Sequence, residues 1–396
     1  MTNKTLYKGF TLIDGNGESP VERAWFLVED KKVLKIGQGN EHPDLDNAQV
    51  VDLSGKTVMP GLINCHVHIT MDPVADPFSL ISKETDAETT LRGVANLKKH
   101  LKAGTTYFRD VGAPNGIDLA LRNGVKEGLV EGPEFLVACQ CLTMTGGHGW
   151  PMGREADGPD ELRKAAREQL KKGADVVKIM ATGGVMTPGV EPGSPQLSKE
   201  EMETAIYEAH KAGKKTATHA QGTEGIKNAV LAGIDSVEHG IFLDDEVIEL
   251  MVKRGVYLVP TLVAPYFIVK NGTESGIPEF AVKKAKMVME SHMDSFRKAH
   301  EAGVKIAMGT DAGTPFNFHD KAPYELKLMV EGGMTPMEAV VASTKTASEL
   351  LGIDKDYGTL EEDKFADFIV LDENPLDNLD TLFNINKVYK LGKLVK

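Results

Sequence analysis

The chain has 396 residues, 41% of them apolar and 26% charged, with a net charge of −13. That length fits one large α/β domain with a smaller satellite, and the composition is that of an ordinary globular protein. The acidic balance, with no dense Lys/Arg block, argues against nucleic-acid partners, and three scattered cysteines (Cys65, Cys139 and Cys141) argue against a disulfide framework.

Taken in chain order, residues 1–57 alternate short apolar runs with Gly, Asn and Asp turns. KTLYKGFTLIDGNG, RAWFLVEDKKVLKIG and AQVVDLSGKTV read as antiparallel strands. The start lacks the basic and then apolar pattern of a secretory leader. No apolar run reaches the ~18 residues of a membrane helix, so a cytoplasmic protein without a membrane partner is expected.

Residues 58–355 repeat another pattern, in which a β-branched apolar run gives way to a turn and then to an amphipathic stretch. Strands are predicted at 58–68, 105–112, 134–142, 175–184, 215–221, 236–240, 256–262 and 305–313. Helices are predicted at 86–102, 116–128, 159–172, 198–212, 223–232, 244–254, 278–302 and 335–351. Eight strands alternating with eight helices is the count of a (β/α)₈ TIM barrel. An open doubly wound sheet would favour a Gly-rich phosphate loop after its first strand, and none is present there. Residues 356–396 return to short strands. The two ends, 1–57 and 356–396, are expected to form one small β-sandwich beside the barrel. Within EFLVACQCL, Cys139 and Cys141 read as strand residues rather than as a metal or redox pair.

Four histidines and an aspartate fall at strand ends: His66, His68, His219, His239 and Asp311. In a βα barrel those ends converge on one face. His66 and His68, two apart on a strand, share a side, and two imidazoles with a carboxylate suit Zn²⁺. Lys178 interrupts the apolar run VVKIM, where a buried ammonium needs a partner. Three readings fit it: a salt bridge, a Schiff-base lysine, or a lysine carbamylated by CO₂ and so made an anion able to bridge two metals. The company of four histidines and an aspartate favours the carbamate.

This set, His66-x-His68, Lys178, His219, His239 and Asp311, resembles the two-metal branch of the amidohydrolase superfamily. The likeness runs over nearly the whole chain, including VMPGLINCHVH and the closing ADFIVLD. The resemblance implies two divalent ions, zinc being the ion that the donor set suits. His66, His68 and Asp311 would hold one, and His219 and His239 the other. Carbamylated Lys178 and a hydroxide would bridge them, and Asp311 would serve as general base and then acid. The mononuclear deaminase branch carries an acid three residues after the fifth-strand histidine, where this chain has Gly222. Non-catalytic scaffolds of this fold lose ligands, and here all six are present.

The segments TGGHG, THAQG, SVEHG and GTDAG are similar to imidazolonepropionase-like and prolidase-like members. The resemblance therefore implies hydrolysis of an amide bond in a small substrate, a dipeptide or an N-acyl amino acid, with cyclic amides, lactones, esters and phosphonates as alternatives. It also implies self-association into a homo-oligomer. His148 is a candidate catalytic and substrate-binding residue, donating a hydrogen bond to a carbonyl or carboxylate. Arg154 is a candidate for bidentate carboxylate binding, and Tyr266 for lining the pocket. Gln221 stands where several dipeptidases of this group carry Tyr. Arg109 and Asp110 are expected to form an internal ion pair, Met180 and Met186 to pack, and the loops 186–198 and 263–280 to act as lids.

Overall fold

The computed structural model describes residues 4–42 and 49–396. Along the chain lie β1 (Lys4–Leu12), β2 (Val21–Glu29), β3 (Lys32–Gln38), β4 (Gln49–Asp52), β5 (Thr57–Pro60), β6 (Leu62–Val67), α1 (Pro77–Ile81), α2 (Asp86–Lys102), β7 (Thr105–Asp110), α3 (Ile117–Lys126) and β8 (Glu134–Val137). They are followed by β9 (Cys141–Thr143), β10 (Gly153–Glu155), α4 (Pro159–Lys172), β11 (Val176–Met180), α5 (Lys199–Lys211), β12 (Lys215–Ala220), α6 (Thr223–Ala232), β13 (Ser236–His239), α7 (Asp245–Arg254), β14 (Tyr257–Val259), α8 (Val263–Asn271) and α9 (Glu279–Glu301). The chain ends with α10 (Ala322–Glu331), α11 (Pro336–Ala342), α12 (Lys345–Leu351), β15 (Phe368–Leu371), β16 (Lys387–Lys390) and β17 (Lys393–Leu394). Ala48, where one expected strand begins, lies outside the described residues.

Both ends of the chain build one mixed sheet, ordered β17-β16-β15-β5-β1-β2-β3 with β4 beside β1. Its core is aromatic. Tyr7 packs 5.3 Å from Phe26, and Phe368 stacks 4.3 Å from Tyr389. The predicted strand 58–68 divides between two sheets, because β5 pairs with β15 and β6 pairs with β7. Gly61 makes the crossing, since a side chain there would collide with that of Thr106.

The parallel strands form two ladders, β6-β7-β8 and β10-β9-β11-β12-β13-β14, rather than one continuous ring of eight. The predicted strand 134–142 breaks where Cys139 takes φ 58°, held by its own N–H donating to Asp118 (2.8 Å). Asp175 and Val137 span that side, the Asp175 N–H donating to the Val137 carbonyl (2.8 Å) and the Val137 N–H to the Asp175 carboxylate (3.2 Å). On the other side the predicted strand 305–313 is a run of isolated bridges. Leu258 donates to Lys305 (2.9 Å), Cys65 to Met308 (2.8 Å) and His68 to Ala312 (3.0 Å), so the segment runs between β14 and β6.

Helices α4 and α6 occupy the predicted spans, each closed by a left-handed glycine, Gly173 and Gly233. Capping boxes open α2 (Thr85, Glu88), α5 (Ser198, Glu201) and α11 (Thr335, Glu338). The predicted helix 335–351 splits into α11 and α12. The Ser343 and Thr344 hydroxyls both donate to the Val340 carbonyl, competing with the helix ladder. The Ala342 and Ser343 carbonyls turn instead to Met308 and Ile63. The segment 263–280 is no open loop. It holds α8, and the free N–H groups of Leu262 and Val263 are capped by the buried Glu325 carboxylate of α10, an element that the sequence reading lacks. No helix of the described residues is long and apolar enough to cross a membrane.

A buried pair of histidines ties α2 to the loop before α10. His100 Nε2 lies 3.0 Å from His319 Nδ1, and His319 Nε2 donates to the Met71 carbonyl (2.8 Å). Burial pushes His319 down to about 4 and His100 well below its ordinary value. The unfolded chain therefore takes up protons below pH ~6.5 where the folded pair does not. Stability is fully present above that pH and falls as pH drops toward 4. His319→Asn keeps a donor for Met71, so its unfolding free energy in urea should fall less steeply than that of the wild type between pH 6.5 and 4.5. Equal slopes would remove the pair from the acid response.

Candidate active site

One cavity, of about 710 Å³ counted out to its solvent opening, is lined by His66, His68, Lys178, His219, His239 and Asp311, together with His148 and Gln221. The six candidate ligands come from β6, the residue after it, β11, β12, β13 and the 305–312 segment, so the ends of neighbouring parallel strands converge there. His66 Nε2 and His68 Nε2 lie 3.2 and 3.4 Å from the same oxygen of Asp311. The ligand atoms of this trio lie within 4.8 Å of one another.

Hydrogen bonds fix which nitrogen of each ring carries the lone pair. His66 Nδ1 faces Glu238 at 2.8 Å, and His68 Nδ1 donates to the Gly112 carbonyl at 2.9 Å. His239 Nδ1 donates to Thr261 Oγ1 (2.7 Å), whose own hydroxyl is spent on the Pro260 carbonyl (2.6 Å). In these three rings Nε2 is the nitrogen turned to the cavity, and in His66 and His68 it meets Asp311. His219 is the reverse: Nε2 lies 3.3 Å from the Gly183 carbonyl, which leaves Nδ1 free. The backbone is left-handed at His239 (φ 72°), Thr261 (φ 53°) and Asp311 (φ 58°), a strain that clusters at functional sites. Burial alone would raise the Asp311 carboxyl, but the adjacent His66 and His68 outweigh it and hold the group well below the carboxylate range.

Lys178 is buried, and burial lowers its pKa. Among the described residues no side chain or carbonyl gives it a hydrogen bond or an ion pair. A fully enclosed, unpartnered amine beside five metal-type ligands leaves room for a group that the protein itself does not supply. The donor set therefore fits a metal centre: three Nε2 and one Nδ1 lone pairs, a carboxylate, and an amine open to modification.

His148 lies in the TGGHG turn with Nδ1 2.8 Å from Thr187 Oγ1, and its ring centroid is 4.2 Å from that of His219. A Cβ on Gly184 would stand 2.5 Å from its Nε2, so glycine is needed beneath the ring. Burial pushes His148 down to about 3, which keeps it neutral near pH 7. Gln221 lines the cavity, and its side-chain amide has no hydrogen-bond partner among the described residues. The apolar wall includes Met71, Phe78, Met152, Met180, Met186 and Ile268.

Three expectations are corrected. Arg154 does not reach the cavity. It lies on β10, where Nε meets Glu168 of α4 at 2.9 Å and the side chain is 30% exposed. Tyr266 is on the wrong face of α8. Ala264, Pro265 and Ile268 line the cavity, while Tyr266 packs on Phe267 with Lys270 5.4 Å from its ring. Arg109 and Asp110 point apart along their strand. Arg109 pairs with Glu238 (2.8 Å), and Asp110 accepts the Ile69 (2.6 Å) and Gly112 (3.0 Å) N–H groups.

Two contributors escape the sequence reading. Glu238 orients His66, and its only local signal is an acid two residues after Ser236 in a buried strand. His292 of α9 lines the cavity, and its Nε2 bridges the His239 (3.0 Å) and Pro260 (2.7 Å) carbonyls. Nothing local marks it among the residues on the buried face of that helix.

Comparison with known proteins places this geometry. A profile of the amidohydrolase family matches residues 57–395. Ochratoxinase of Aspergillus niger is 32% identical over 427 aligned positions, covering 99% of this chain and 86% of that one. A solved Xaa-Pro dipeptidase with methionine bound in its active site shares 33% identity, with a TM-score of 0.92 over 100% of both chains. A solved prolidase in complex with N-methylphosphonate-L-proline shares 29% identity, with a TM-score of 0.93 over 100% of both.

Proposed function

The chain belongs to the amidohydrolase family, and from that membership we propose that it hydrolyses the amide bond of a dipeptide or N-acyl amino acid with an apolar side chain. The observation that carries the proposal is the convergence of His66, His68, Lys178, His219, His239 and Asp311 on one cavity with an apolar, methionine-rich wall. Methionines adapt to varied apolar groups. The similarity to ochratoxinase and to the Xaa-Pro dipeptidase supports the substrate class. Residue 222, three positions beyond His219, is a glycine, so the acid of the deaminase pattern is missing.

We also read the two parallel ladders and the 305–312 segment as the wall of one (β/α)₈ barrel over 58–355, with 1–57 and 356–396 as its sandwich. The hydrogen bonds from Asp175 to Val137 and from Cys65 to Met308 support this reading.

His66, His68 and Asp311 would hold one divalent ion, His219 and His239 the other, with a carbamate on Lys178 between them. When bound, such ions polarise the scissile carbonyl and acidify water. Asp311 then accepts the proton of the attacking water and delivers it to the leaving amine nitrogen. With Thr187 donating to its Nδ1, His148 keeps Nε2–H for the substrate carbonyl or carboxylate. Gln221 meets the substrate with its unpartnered amide.

Elemental analysis of protein purified without chelators should find about two divalent ions per chain, and chelation should abolish activity. A screen of dipeptides, N-acyl amino acids and lactones should find cleavage first among amides with apolar side chains. Activity in metal-free protein would overturn the metal centre. Turnover of lactones or esters alone would overturn the substrate class.

A further inference from the structure

The segment between β11 and α5 borders the cavity, and Val185 and Met186 from it join the cavity wall. Its foot is stapled locally. Gly183 N–H donates to Ser194 (2.9 Å), and Gln196 donates from its backbone to Ala181 (2.9 Å). Its tip, residues 185–190, is fastened differently. Among the described residues the tip reaches the rest of the protein through hydrogen bonds at two places only. One is Lys284 of α9, whose Nζ donates to the Thr187 carbonyl (2.8 Å) and to the Val190 carbonyl. The other is Thr187 Oγ1, 2.8 Å from His148 Nδ1.

Lys284 is buried and forms no ion pair within 4.0 Å among the described residues. An ammonium spending its hydrogens on two carbonyls of one short stretch makes charge-assisted bonds that hold that stretch in register. The same residue, Thr187, takes the strap on its carbonyl and touches His148 with its hydroxyl. Beneath, Val185 and Met186 share an apolar cluster with Val282, Ala285 and Val288 of α9.

We propose that Lys284 is a positioning residue: it straps the tip of the 181–198 segment to α9 and, through Thr187, sets the His148 ring over the substrate. The inference rests on the reading of His148 as a substrate-contacting group. It makes α9, remote in sequence from both β11 and the TGGHG turn, part of the machinery that shapes the mouth.

Lys284→Met keeps the length and apolar stem and removes the donors, Lys284→Arg keeps donors, and Thr187→Val removes the hydroxyl alone. In the metal-loaded enzyme, Lys284→Met should lower kcat/KM about tenfold and speed amide hydrogen exchange over 185–191 by a similar factor, with Tm held. Lys284→Arg should restore most of both. Thr187→Val should lower kcat/KM comparably with little change in exchange. The double variant Lys284→Met/Thr187→Val should be no worse than Lys284→Met, because both losses pass through one ring. Unchanged exchange in Lys284→Met, failure of Lys284→Arg to rescue, or multiplying losses in the double variant would each overturn the strap. Full activity in His148→Asn would instead overturn the role given to His148, while the exchange over 185–191 would still judge the strap.

Discussion

Lys178→Ala should lower kcat/KM on the order of 10³-fold or more, with bound metal falling at the same time. The reason begins with burial. An ammonium enclosed with no ion pair or hydrogen bond costs several kcal/mol, and burial shifts Lys178 toward the neutral amine. The neutral amine is the form that adds to CO₂. In the proposed carbamate its lone pair would form the N–C bond to CO₂, one N–H proton would leave to solvent, and a two-oxygen anion would stand where the neutral amine was. The four cavity-facing imidazole nitrogens and Asp311 would then surround an anion rather than an amine that competes for metal as a positive charge. Protein stripped by chelation should therefore recover activity with zinc faster in bicarbonate than in CO₂-free buffer. Lys178→Ala should ignore bicarbonate. Retention of a tenth or more of wild-type activity in Lys178→Ala would sink the carbamate. Borohydride trapping of substrate on Lys178 would replace it with Schiff-base chemistry.

Five of the six ligand candidates were readable because they stand at predicted strand ends, which meet wherever parallel strands lie side by side, and Lys178 because it interrupts the apolar run VVKIM. Helices α4 and α6 were readable to the residue because each is bounded by glycines, Gly158 and Gly173, Gly222 and Gly233. What failed depends on contacts that periodicity does not encode. The run 58–68 looks continuous, yet Pro60 and Gly61 carry it between sheets. Helix α8 is apolar on most sides and has Pro265 in its first turn, so it reads as a loop following the strand 256–262. Arg154 and Tyr266 lie beyond the predicted strands, on β10 and α8, where the direction of a side chain is set by tertiary partners, Glu168 for one and Phe267 for the other. Glu238 shows the same limit from the other side. An acid next to a histidine looks ordinary until folding brings Arg109 and His66 to it from other strands.

That buried triad carries the largest expected effect on stability. Glu238 is fully enclosed, 2.8 Å from Arg109 Nη2, 2.8 Å from His66 Nδ1 and 2.6 Å from the Ser236 hydroxyl. Burial would raise its pKa, but Arg109 first and then His66 hold it well below the carboxylate range. Arg109→Met removes the principal counter-charge and strips the Cys65 carbonyl of its donor. Breaking a buried pair on one side costs about 3–5 kcal/mol, far beyond a surface change. The sign of its pH dependence also reverses. In the wild type a depressed carboxylate contributes stability above the unfolded value of ~4.3, lost only as pH falls through the still lower folded value. In Arg109→Met the enclosed acid titrates above its unfolded value. The deficit against wild type should therefore be greatest near pH 8 and narrow toward pH 5. Adding Glu238→Gln removes the stranded charge while keeping an acceptor for His66 Nδ1, so the double variant should regain part of the loss. Urea unfolding of the three proteins at pH 8 and pH 5 reads both effects. A deficit for Arg109→Met under about 1 kcal/mol at both pH values, no larger than an exposed pair gives, would mean that the triad orients His66 without holding the strands together.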